Sequence, residues 1–148
     1  MNSYTTPTKY LEWMPDRYIA ELSADNNGFS ADTDVVQLAL NWAEGMMESK
    51  LMVRDDIPIP AVNADGTVPD TLRECVHDLA TYRLFDRRGT MNQQVQTKFD
   101  IQMTWLNQVA DNKAGVAILD SDGKSKTQTN RQPVIDGDQE RIFDDFTV

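Results

Sequence analysis

One cysteine, one histidine and a shortage of basic charge distinguish this 148-residue sequence. Cys75 has no second cysteine with which to form a disulfide inside the chain, so the fold must stand on packing, and a reducing compartment is expected. His77 lies two positions from Cys75, a helical spacing that turns the two side chains to different faces and disfavours a Cys/His couple. With 24 acidic against 14 basic residues, a net charge of −10, the chain lacks the cation excess that grips nucleic-acid phosphates. Long apolar runs are missing as well, since the longest fall far below the roughly 20 residues needed to cross a bilayer. No basic leader followed by an apolar stretch signals export. The expectation is a soluble chain made in the cytoplasm, without a membrane partner.

Motifs that carry chemistry are also scarce. The sequence has no phosphate-cradling glycine loop, zinc-type Cys/His spacing or dinucleotide fingerprint. A calcium loop counted from Asp25 fails, because Gly28 falls fourth rather than sixth and Val36 occupies the twelfth position, where a glutamate belongs. No cofactor, metal or catalytic residue is expected, and the chain is not read as an enzyme. Distant carboxylates can still assemble a site, so a helical enzyme subunit stays open as a reading. A deep polar pocket around His77 and Asp78 would favour it.

What the sequence does have is helical periodicity. Thr6-Pro7 starts a short helix that Pro15 stops, and residues 15–22 suit a second short helix ending in a turn at 25–28. Asp32-Thr33-Asp34 offers several N-caps, and Asp34 with Gln37 resembles a capping box for a long helix to about Leu51. That helix carries two apolar stripes, Val35, Ala39, Trp42 and Met46 beside Val36, Leu40, Ala43, Met47 and Leu51, more than one core face requires. A second long helix begins around Thr67 to Pro69, runs to about Arg88 and ends at Gly89. Its apolar face holds Leu72, Cys75, Val76, Leu79, Ala80 and Tyr82, with Arg73, Glu74, His77, Asp78 and Thr81 on its polar side. Thr90 with Gln93 caps a last long helix striped by Val95, Phe99, Met103, Leu106 and Val109, with Ile101 and Trp105 nearly opposite. Residues 116–119 read as a short strand.

Two segments lack periodicity. In the loop from 53 to 69, Ile57-Pro58-Ile59-Pro60 imposes an extended path that either packs over the domain or meets a partner. From residue 121 the chain turns polar, and RIFDDF near its end, with Arg141, Ile142, Phe143 and Phe146, has the form of a segment that orders on a partner. A frayed terminus with chance aromatics is the alternative. The fold class is therefore all-α: a bundle of about four to five helices with a long proline-containing loop and an extended C-terminal arm. The division expected is a helical domain over 1–119 and an arm over 120–148, flexible until bound.

Four stretches in order, YTTPTKYLEWMPDRYIAEL at 4–22, the helix at 35–51, the proline-containing loop and LRECVHDLATYRLF at 72–85, resemble the head-tail connector (adaptor) proteins of tailed bacteriophages, in the Mu-like prophage connector family. The polar insertion at 121–138 departs from that family's pattern. The resemblance implies a structural protein of the virion neck, assembled in the bacterial host cytoplasm. Its copies form a ring, twelvefold in the family, between the portal protein and a tail-side neck or head-closure protein, with DNA passing through without sequence-specific contact. Rings need two different faces, one of each copy meeting the other of the next, for which Trp42, Met46 and Met47 on one side and Ile101 and Trp105 on the other are candidates. Residues 1–120 hold 18 acidic and 10 basic side chains, a balance that would present DNA with a non-adhesive wall. The alternative from another class is an acidic DNA mimic that inhibits a host nucleic-acid-binding enzyme, although here the acids alternate with apolar faces and bases.

Overall fold

The computed structural model describes residues 4–14 and 32–120. The expected helix at 15–22, the turn at 25–28 and the arm from 121 on, including Arg141, Ile142, Phe143 and Phe146, lie outside the described residues. Four helices make up the described part: α1 (Pro7–Trp13), α2 (Thr33–Leu51), α3 (Asp70–Arg88) and α4 (Gln93–Ala110). The protein is all-α, as the periodicity indicated.

Local signals set most of the boundaries. Thr6 caps α1 by accepting the Lys9 amide, and Pro7 occupies the first turn, where no amide partner is needed. Asp32, one of the caps the sequence offers, caps α2, so the Asp34–Gln37 box is not used: held in an extended conformation, Asp32 accepts the amides of Asp34 and Val35. Gly89 closes α3 in the left-handed conformation at φ +71°. The expected Thr90–Gln93 box at the start of α4 does not form, because the Thr90 amide already bonds to the Phe85 carbonyl and so belongs to the end of α3. Asn92 caps α4 instead, accepting the Gln94 amide at 2.7 Å. Residues 116–119 do not make a strand. The Ile118 amide turns back onto the Val116 carbonyl, which breaks an extended ladder, although both side chains are buried.

The largest interface joins α2 and α3, with α4 packed across both and α1 against α2. Val36, Leu40, Met47 and Leu51 meet Leu72, Leu79, Leu84, Leu106, Val109 and Ile118 in one core, and Cys75 is inside it. Burial pushes the Cys75 thiol up to about 12, so it behaves as a small apolar side chain.

One expectation about α3 is overturned. His77, Asp78 and Thr81, assigned to its polar side, are buried. The Thr5 hydroxyl and His77 Nε2 lie 2.9 Å apart, the Tyr10 and Thr81 hydroxyls 2.7 Å apart, and Gln102 Nε2 donates to Asp78 at 2.9 Å. α3 is thus covered on its polar side as well, and each buried polar group finds a partner on the N-terminal segment or on α4.

The loop after α2 is pinned by Arg54, which is buried. Its guanidinium forks onto Asp56 and donates from Nη1 to the carbonyl of Ala114 at 2.9 Å and, more weakly, to that of Val109. A charged fork therefore satisfies the carboxyl end of α4 and fixes the turn after it. Further along, Asn63 Oδ1 accepts the Leu119 amide and the Ala64 amide donates to the Leu119 carbonyl, both at 2.9 Å. The loop thereby holds Leu119 in place beside Asn63 and Ala64.

Candidate assembly surfaces

On α2 the inner stripe faces the core throughout. Met47, expected to face a neighbouring copy, is fully buried and belongs to this chain's own core, because it stands one turn from Ala43 and Leu51. Trp42 and Met46 are half-buried and packed against the core edge. The outer face carries a residue that the two-stripe reading passed over: Leu38 is 68% exposed, one turn before Trp42. The Arg83 guanidinium of α3 sits 5.2 Å from the Trp42 ring centroid, joining the two helices at this face. Gly45, one turn beyond Trp42, leaves the surface open, with no atom within 4 Å of where a Cβ would stand.

On α4 the structure keeps Ile101 and Trp105 together. They line one shallow groove of about 410 Å³ with Thr97, Asp100, Thr104 and Gln108. Ile101 is 60% exposed, whereas Trp105 is half-buried and packs partly against the core, nearer to it than its sequence position opposite the main stripe indicated. Asp100 is exposed on the groove wall and accepts from Gln96 at 3.1 Å.

In the loop, Ile57 and Ala61 are buried, so this stretch packs over its own domain, and the Ala61 amide donates to the Tyr4 hydroxyl at 2.8 Å. That site is closed enough to push the Tyr4 phenol up to about 12, through desolvation above all. Pro58 is half-buried, while Ile59 and Pro60 remain exposed beside it. Met52 and Val53, at the end of α2, are also open to solvent and were not singled out by periodicity, since they fall past the last helical turn.

His77 and Asp78 do not share a pocket. Asp78 lines a depression of about 250 Å³ with Trp13, Phe85 and Lys98, and His77 lines a broader one with Lys9, Glu12 and Arg73. Burial pushes the Asp78 carboxyl up, while the Gln102 hydrogen bond and the Lys98 charge pull the other way. Burial first, and then the Arg73 charge, lower His77 to about 4, so its imidazole is neutral at ordinary pH. Edge contacts with Tyr10 and a tilted contact with Trp13, centroids 5.4 and 5.1 Å away, complete its surroundings. These groups tie α1 to α3.

The described chain is a small all-α bundle with apolar side chains open to solvent on two separate helix faces. Residues 4–134 match the family model described as Bacteriophage Mu, Gp36, and the chain belongs to that family. It is a Mu-like bacteriophage protein, which points to a structural or virion-related part. No curated protein matches it. Among the described residues no helix is long and apolar enough to cross a membrane.

Proposed function

We propose that the protein is a structural component of the virion neck, a connector whose copies form a ring between the portal and the tail and continue the DNA channel. Membership of the Mu family carries this reading, together with the solvent-open apolar residues Leu38 on α2 and Ile101 on α4. Large apolar side chains on separate faces favour contact with other subunits over a free monomer. The acidic balance fits a wall past which DNA moves without adhering. In this reading the portal protein and a tail-side neck or head-closure protein hold the ring from above and below, and Ile142, Phe143 and Phe146 anchor the arm on one of them.

Electron microscopy of purified particles tests the proposal. A ring of this protein between portal and tail is the expected image. Particles with intact necks from which the protein is absent, or which carry it elsewhere, would overturn it.

A further inference from the structure

From the two open faces we infer that copies of this protein contact one another head to tail. The Leu38–Trp42–Arg83 face of one copy sits on the Ile101–Trp105 groove of the next. The inference rests on the neck reading for its biological setting but concerns a surface that can be tested apart from it.

The occupant is argued from charge as well as shape. Every copy carries a net charge of −10, so contacts between copies must overcome repulsion by bringing a cation onto an acid. On the α2 side the open cation is Arg83, half exposed, lying over Trp42 with only a loose 3.9 Å contact to Asp86. On the α4 side the groove wall carries exposed Asp100. Placing like face on like face would bring Asp100 to no Arg83 and would cover only one of Leu38 and Ile101. Only unlike faces pair Arg83 with Asp100 while covering Leu38 and Ile101 together, and unlike faces make an interface that propagates from copy to copy. The open surface at Gly45 lets the α4 backbone of the next copy approach α2 closely.

Sedimentation velocity of the full chain, with circular dichroism to confirm an unchanged helical signal, provides the test. Leu38→Asp and Ile101→Asp each leave one good face. Each variant alone is expected to lose self-association by about tenfold or more, since an unpaired charge would have to be desolvated. Mixed in equal amounts, the two variants are expected to form a dimer through the two remaining good faces and to stop there. As a second pair, Arg83→Glu and Asp100→Arg each weaken association alone, and their combination in one chain restores it. A wild-type chain that stays monomeric at all concentrations reached, a single variant that assembles like wild type, or a mixture that remains monomeric overturns the inference. A neck ring seen in particles despite such a result would leave the neck reading standing and remove only this interface. Assembly through these faces without any ring in particles would do the reverse.

Discussion

The Tyr10 hydroxyl lies 2.7 Å from the hydroxyl of Thr81, which itself donates to the His77 carbonyl at 2.9 Å. Thr81 has one proton and it is committed to His77, so Tyr10 is the donor of the pair. Burial raises the Tyr10 phenol and keeps it protonated, as this role requires. The short α1 is thus fastened to the middle of α3 by one directed bond, flanked by the Thr5–His77 contact.

Removing either end of that bond has unequal consequences. Tyr10→Phe deletes donor and demand together and is expected to cost about 1 kcal/mol, whereas Thr81→Val strands a buried phenol hydroxyl and costs roughly 1–3 kcal/mol. Urea denaturation of the two variants checks the order. A Tyr10→Phe loss larger than that of Thr81→Val would refute the donor assignment.

Acid should loosen the same seam. His77 titrates at about 4 in the fold against about 6.5 unfolded, so the unfolded chain takes up the proton first. The stability this residue contributes is complete above pH ~6.5 and is lost as pH falls toward 4. Asp78 acts in the opposite sense: its raised folded value costs stability near neutral pH, and this cost is relieved as the carboxyl protonates at the acid end. Denaturation midpoints against pH should show the fall between 6.5 and 4 in wild type, and His77→Gln should flatten it. An unchanged slope in His77→Gln would show that other groups cause the acid loss.

Arg54 fixes the turn after α4 through the carbonyls of Val109 and Ala114. Arg54→Lys retains charge but loses the fork to Asp56 and part of the bonding to the Ala114 and Val109 carbonyls. Hydrogen bonds to charged groups contribute roughly 1.5–3 kcal/mol, so faster amide exchange is expected in residues 111–118 with α2 and α3 unaffected. Uniform exchange across the chain would count against a local clamp.

Core and surface on α2 are predicted to part cleanly. Met47→Ala should cost about 2–5 kcal/mol through the cavity it leaves, while Leu38→Asp should fall within about 0.5 kcal/mol of wild type in a monomer. Thermal melts of both variants at low concentration decide the matter. Equal losses would mean that Leu38 is packed.

For the arm, deletion of residues 139–148 is expected to leave the helical signal intact but to lower incorporation into particles. The two aromatics and Ile142 would each contribute roughly 1.5–3 kcal/mol on burial before the cost of ordering the tail. Quantifying the protein in purified particles checks this, and unchanged occupancy with normal infectivity would remove the anchoring claim.

The four described helices were legible from sequence because apolar spacing at 3.6 residues, Thr6-Pro7 and Gly89 act through the backbone next to them, while the short helix expected at 15–22 lies outside the described residues. The burial of Leu106 and Val109 followed from the same spacing. Tertiary structure alone decided the rest. A capping residue is chosen by which amides remain free, so Thr90, occupied by the end of α3, yielded α4 to Asn92. His77, Asp78 and Thr81 read as solvent-facing because their polarity says only that they need partners. Whether water, Thr5, Tyr10 or Gln102 supplies them depends on which segment folds back over α3. The same holds for Met47 and Leu38, both apolar on one helix. The period places them on different faces, but only the positions of α3 and α4 determine which of the two is covered.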